Sequence, residues 1–277
     1  KNDEGCKFCS LRTTDSQIPV EDVLEAIRRV RAQRKIGMVF LNVGLTETSD
    51  AGVRLLDPYV RAIKKSFNLL VSVDALPPKD DSWIDRTYAM GVDSLSYNLE
   101  VFGESAFKHF CPGLDRNVGR QRFLDALSYA TTVFPRGAVL SHLIVGAEPL
   151  EDTRLGMEAL LTRGVVPILP VFHPFRGVDL RVGMVHDSPP DTQDIAILYG
   201  DLYRRLKELR LPVEWSQPIS TITTPAEGRF FTGEVGRGGL LERLIGKGPK
   251  TPSTILSDWR RALRVKEVDD SFRSSGL

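Results

Sequence analysis

Short apolar runs alternate with stretches of helical periodicity along most of the chain. Residues 20–35 carry Val20, Val23, Leu24, Ile27 and Val30 at helical spacing with arginines on the other face, which predicts an amphipathic helix. Residues 37–43 (GMVFLNV) form a continuous apolar run of strand length. A second helix follows to about Phe67, with Ser49 or Asp50 as its cap. The same reading gives strands at 69–73, 92–99, 138–145 and 165–172. Helices at 82–90, 118–133 and 151–162 lie between them, the first stopping at Gly91 and the last at Gly164. A long helix over 192–209 and a strand at 213–215 close the regular part.

Strands and helices in strict alternation demand a parallel sheet, because each crossover helix returns the chain to the same end. Five strands and a sixth near Trp215 predict an α/β fold, a partial or closed (β/α) TIM-type barrel with its site at the strand C-terminal ends. From about Gly228 the chain is rich in Gly, Arg and Pro, with one amphipathic helix near 255–263. The expected division is a barrel core over 1–227 and a C-terminal extension over 228–277 that covers the barrel.

Composition narrows the partners. The 277 residues carry 37 basic and 36 acidic side chains, a net charge of +1, so nothing draws the chain as a whole to nucleic acid or an anionic membrane. No apolar run approaches the roughly 20 residues of a membrane span, and no signal-peptide pattern opens the sequence. The three cysteines, Cys6, Cys9 and Cys111, are no disulfide framework and suit a reducing cytoplasm. Cys6-Lys7-Phe8-Cys9 lies in a polar loop before the first helix, and two thiolates at that spacing bind zinc or iron–sulfur centres alike. Structural zinc needs two further ligands, and only Cys111, His109, His142, His173 and His186 remain to supply them, with no second paired motif.

A Cys-x-aromatic-Cys ending ahead of repeated β/α units resembles the cluster loop of radical S-adenosylmethionine (SAM) enzymes. The resemblance spans residues 1–182 and is strongest to the biotin synthase and lipoyl synthase branch, in a subgroup with a widely spaced first cysteine. The layouts Thr48-Ser49-Asp50 and Pro77-Pro78-Lys79-Asp80-Asp81 also resemble that subgroup. It implies a 4Fe–4S cluster held by Cys6, Cys9 and a third cysteine, with SAM on the remaining iron. The usual first position of the motif is Asn2, so the resemblance implies a first strand and first cysteine upstream of Lys1. Phe8 would lie beside the cluster.

Further segments carry the same resemblance. Tyr97-Asn98-Leu99-Glu100 resembles a strand end that contacts the SAM ribose and amine, which implies Asn98 and Glu100. Two apart on a strand, they should share a face. Arg122 stands at the helix start where the family places an arginine on the SAM carboxylate, a pairing that suits a guanidinium fork. His142-Leu143-Ile144-Val145-Gly146-Ala147-Glu148 resembles the Gly-Ile-x-Gly-x-x-Glu strand that packs on adenine, implying Ile144 and Gly146. Phe172-His173-Pro174 resembles the segment that also borders adenine, implying His173. Asn42-Val43-Gly44-Leu45-Thr46-Glu47 stands where Gly-Gly-Glu holds the SAM amino group, implying Gly44 and Thr46.

The implied activity is reductive cleavage of SAM to a 5′-deoxyadenosyl radical that abstracts hydrogen from a small metabolite. An electron donor such as flavodoxin or ferredoxin would serve it. Asp74, His142 and Arg176 are the candidate substrate contacts, as strand-end polar groups. Only Cys111 remains beyond the pair, too few cysteines for a second sacrificial cluster, so rearrangement, carbon–carbon cleavage or dehydrogenation is expected ahead of sulfur insertion. Cys111 itself reads either as a hydrogen-atom donor or as a buried apolar residue. Two rival classes stay open: a zinc-dependent or metal-free barrel lyase, which a strand lysine would favour, and a non-catalytic binding barrel with a decayed cluster loop.

Overall fold

The computed structural model describes residues 6–8, 17–44, 46, 48–172, 190–216, 225–232 and 256–261. In chain order these form α1 (Val20–Gln33), β1 (Met38–Asn42), α2 (Val53–Phe67), β2 (Leu70–Ala75), α3 (Ser82–Ala89) and β3 (Ser94–Tyr97). Then come α4 (Glu104–Phe110), α5 (Pro112–Asn117), α6 (Arg120–Val133), β4 (Val139–His142), α7 (Leu150–Leu161), β5 (Val166–Ile168) and α8 (Thr192–Glu208). A 3-10 turn at Pro225–Phe231 and helical residues 256–261 complete the described part.

All five strands are parallel and paired in sequence order, β1-β2-β3-β4-β5, as the alternation predicts. Register decides what each face carries. Phe40 pairs with Ser72 and Ser72 with Ser94; Asn42 pairs with Asp74 and Asp74 with Ser96. Because side chains alternate along a strand, these small and polar residues share one face. The other face carries Leu41, Val73, Leu95 and Val139 in register, apolar positions on which the crossover helices pack. Val73, Leu95 and Val139 are buried to within 1% of completely.

Local chemistry explains the element boundaries. Gly52, not Ser49 or Asp50, holds the cap position of α2, but the Asp50 carboxylate accepts from the first-turn Arg54 N–H at 2.9 Å and the Thr48 hydroxyl from Gly52 N–H at 3.3 Å. The helix expected over 118–133 begins two residues later, at Arg120, and α4 and α5 were not expected at all. Residues 213–215 are not a strand. Ser216 N–H donates to Val213 O at 3.0 Å and closes a turn there, directly after Pro212, which has no N–H to offer a ladder. Among the described residues no helix is long and apolar enough to cross a membrane.

Residues 256–261 pack beside the N-terminal end of β3. Arg261 donates to the backbone oxygens of Tyr88 (3.0 Å) and Val92 (3.2 Å) and pairs with the wholly buried Asp93 carboxylate at 2.5 Å.

Candidate active site

The C-terminal strand ends bring Asn42, Asp74, Asn98 and His142 into one row. Asn42 Nδ2 donates to Asp74 Oδ2 at 2.8 Å, and Asn98 Nδ2 donates to Asp74 Oδ1 at 3.0 Å. Asn98 Oδ1 accepts from Ser96 Oγ at 2.6 Å and from His142 N–H at 3.2 Å. Every polar atom of the Asn98 amide end therefore has a partner, which fixes how it faces Asp74. Between β3 and β4 the backbone ladder gives way to side chains here, since Ser141 Oγ accepts from Leu99 N–H at 3.1 Å.

That opening changes one expectation. β3 stops at Tyr97, and Glu100 turns through a φ of 69°, so strand alternation no longer relates it to Asn98. Its backbone bridges instead to the far side: Glu100 N–H donates to His142 O at 2.9 Å, and Ile144 N–H donates to Glu100 O at 2.7 Å. A non-glycine residue in the left-handed region is uncommon and is held only by such surroundings.

The charges in the row are uncompensated. Burial pushes Asp74 up to about 7, the two amide donors only partly offsetting it. Burial also pushes Glu100 up to about 8, with the neighbouring Asp74 charge adding to the effect. Burial lowers His142 to about 4, so its imidazole is neutral at pH 7. Among the described residues, Asp74 meets only neutral donors and no cation stands against Glu100, a setting that a cationic ligand would complete.

The remaining predicted residues fall around this row. Gly146 has a φ of +94°, and a Cβ there would lie 3.1 Å from Pro190 Cδ, so a side chain would be both strained and crowded. Ile144 beside it is buried. Glu148 accepts from Phe102 N–H and Gly103 N–H at the start of α4, so it is occupied as a helix-end acceptor. Thr46 and Arg122 line one rim cavity of about 330 Å³, together with Lys79 and Asn117. There Thr46 Oγ1 is buried without a partner. Arg122 is already engaged, Nε donating to Pro78 O at 2.8 Å and Nη2 to Asp81 Oδ1 at 2.7 Å. Gly44 is exposed with open space around it.

Cys6 and Phe8 are half-buried against the core, and the Lys7 N–H donates to Phe110 O at 2.8 Å. The loop therefore docks on the junction of α4 and α5. There the Cys6 side chain meets the Cys111 thiol, a contact that, ahead of burial, raises Cys111 far above the ordinary thiol range. Cys9, His173 and Arg176 lie outside the described residues, as do Leu45 and Glu47. Among the described residues no three His, Cys, Asp or Glu side chains group as a metal site. Sequence reasoning passed over the amide of Asn42 and the hydroxyls of Ser96 and Ser141 as site residues. A polar residue ending an apolar strand was the available signal for Asn42.

No protein-family model matches the chain. Bacteriochlorophyllide c C-7(1)-hydroxylase of Chlorobaculum limnaeum is 28% identical over 142 residues, which are 49% of this chain and 35% of that protein. The chain thus matches about a third of the length of that curated relative. Among solved structures, methylornithine synthase (PylB) aligns with a TM-score of 0.55 at 16% identity, covering 74% of this chain and 58% of the other. The FeFe-hydrogenase maturase HydG from Carboxydothermus hydrogenoformans aligns at 0.54 and 13%, covering 74% and 48%. These relatives are radical SAM enzymes, and the parallel sheet has the partial TIM-type barrel fold that they have. They give no support to the biotin synthase and lipoyl synthase branch expected from the sequence.

Proposed function

We propose that the chain is the catalytic barrel of a radical SAM enzyme that cleaves SAM reductively and removes a hydrogen atom from a small molecule. The observation that carries this is the docking of the Cys6 loop on Cys111, whose thiol feels the Glu100 charge, on a barrel shared with radical SAM enzymes. The donor set suits the cofactors. Thiolates are the usual ligands of iron–sulfur clusters, and SAM brings a sulfonium and an ammonium to a mouth where, among the described residues, Asp74 and Glu100 meet no cation. The orphaned Thr46 hydroxyl in the rim cavity has an acceptor or donor still to meet.

When bound, the cluster supplies the electron and SAM the radical-forming adenosyl group. The chain's own residues bind and orient. Cys6 and Cys9 hold the cluster, with Phe8 beside it. Asn98 and Glu100 take the ribose and amine, and Ile144, Gly146 and His173 border the adenine. Gly44 and Thr46 face the amino group and Arg122 the carboxylate. Asp74, His142 and Arg176 meet the substrate, the neutral His142 imidazole able to accept a hydrogen bond. Rearrangement, carbon–carbon cleavage and dehydrogenation fit this arrangement ahead of sulfur insertion, and a flavodoxin or ferredoxin would deliver the electron. The Schiff-base lyase alternative lacks its nucleophile, because no lysine lies in β1 to β5.

The test is anaerobic iron and sulfide analysis with EPR of the dithionite-reduced protein, with and without SAM. A reduced 4Fe–4S signal that shifts on adding SAM is expected. A protein that stays colourless after reconstitution, or that holds one zinc, sinks the proposal.

A further inference from the structure

We propose that Cys6 and Cys111 are an oxidative cross-linking site, at which a disulfide withdraws Cys6 from iron binding. The significance of the site rests on reading Cys6 as a cluster ligand; the cross-link itself does not. Two free thiols from sequence-distant segments meet at the α4–α5 junction. The approach is held from both sides. Lys7 N–H is bonded to Phe110 O at 2.8 Å, next to Cys6 in one segment and next to Cys111 in the other. The Cys111 backbone is itself tied on both sides, its N–H donating to Phe107 O at 2.8 Å and its oxygen accepting from Asp115 N–H at 2.9 Å.

The two thiols differ in access. Cys6 is half-buried, whereas Cys111 is 0% exposed. An oxidant therefore meets Cys6 first. With hydrogen peroxide, the Cys6 thiol becomes a sulfenic acid and one water is released. The Cys111 sulfur then attacks the Cys6 sulfur, the S–O bond breaks, the thiol proton leaves with the hydroxyl, and a second water forms. Overall the two thiols lose two electrons and two protons, and the peroxide is reduced to two waters. A dithiol reductant reverses the bridge by exchange. While closed, the bridge holds the sulfur that the cluster needs, so oxidative loss of iron leaves a reversible state in place of overoxidised cysteine.

The experiment treats chelator-stripped, reduced protein with hydrogen peroxide, alkylates it, digests it with trypsin without reductant, and maps the peptides by mass spectrometry. Lys7 lies between Cys6 and Cys9, so trypsin puts them on separate peptides. The expected product joins the Cys6 peptide to the Cys111 peptide, and iron–sulfide reconstitution then fails until dithiothreitol is added. Cys111→Ala, checked for folding by its thermal melt, should give no such cross-link. A Cys6–Cys9 bridge, or sulfinate on Cys6 with Cys111 unmodified, overturns the proposal. Untreated reduced protein that takes up no iron would instead overturn the cluster reading and leave a mapped bridge standing.

Discussion

Asp93 and Asp74 sit at opposite ends of the same parallel sheet and meet opposite treatment. Before β3, the Asp93 carboxylate has no exposure and takes Lys64 Nζ at 2.6 Å, Arg261 Nη2 at 2.5 Å, Val71 N–H at 2.8 Å and the Ser257 hydroxyl. At the end of β2, Asp74 takes two neutral amides, from Asn42 and Asn98, and, among the described residues, no cation. The first is a closed electrostatic knot, with its hydrogen bonds complete, that ties residues 256–261 to the barrel. The second is held in position while its charge is left unanswered. In β/α barrels the N-terminal end of the sheet serves stability and the C-terminal end serves chemistry, and here the two ends are told apart by what compensates a carboxylate.

Removing the knot should have the largest effect. Asp93→Ala removes the buried partner of Lys64 and Arg261 and leaves them only the exposed Asp258 carboxylate, a loss of about 3–5 kcal/mol of stability. A thermal melt of that variant should fall by roughly 6–20 °C, at about 2–4 °C per kcal/mol for a domain of this size. A melting temperature within a degree of the parent would mean that the knot does not hold the N-terminal end. Arg261→Met should act in the same direction with a smaller effect, about 1–3 kcal/mol, because Lys64 and Val71 N–H still serve Asp93. Limited proteolysis should then cut the C-terminal segment before the barrel core opens. Simultaneous loss of both would break the distinction between the anchor and the core.

The two ends also differ in how far the sequence disclosed them. The five strands were legible because apolar runs such as Leu69–Val73 and Val139–Leu140 are bounded by helical periodicity and glycine stops. Asp74 could be singled out as a polar residue ending such a run. The Asp93 knot could not, because Arg261 lies 168 positions away and no local pattern announces a partner at that distance. Glu100 was found by its motif but placed on the wrong geometry, since Asn98 and Ser141 side chains replace ladder bonds and end β3 early. The turn at 213–215 was misread as a strand because two apolar residues after a helix look alike in either state. Burial was one of the two readings open for Cys111, and the thiol is buried, but its meeting with Cys6 is a tertiary contact that spacing does not encode.

At the other end the expected signature is pH dependence. Asp74 ionises near its ordinary value of 3.8 when unfolded and at about 7 when folded, and Glu100 moves from 4.5 to about 8. Between those values the folded chain binds more protons than the unfolded chain, so stability is full below about pH 4 and is lost as the pH rises through 7 to 8. Asp74→Asn should shrink the fall in melting temperature between pH 5 and 8, by an amount worth about 1–3 kcal/mol. The change in slope is the readout, because an asparagine facing two amide donors also lowers stability at every pH. An unchanged slope would remove Asp74 from the poised group and leave Glu100 to account for it.

The smallest effect is the sharpest test of the comparison, because it separates a poised carboxyl pair from one that is merely buried. If SAM brings its amine to Glu100, the added positive charge favours the ionised forms of Glu100 and of Asp74 beside it and must release protons near neutral pH. Titration calorimetry of the reconstituted protein at pH 7, in two buffers of different ionisation enthalpy, should therefore return release of a fraction of a proton, up to about one, per SAM bound. Glu100→Gln should reduce that number, and Arg261→Met, acting at the far end of the sheet, should leave it unchanged. Proton uptake on binding, or release that survives Glu100→Gln together with Asp74→Asn, would assign the proton to another group. The mouth would then be a buried acidic site in search of a different ligand, and the contrast with Asp93 would concern stability alone.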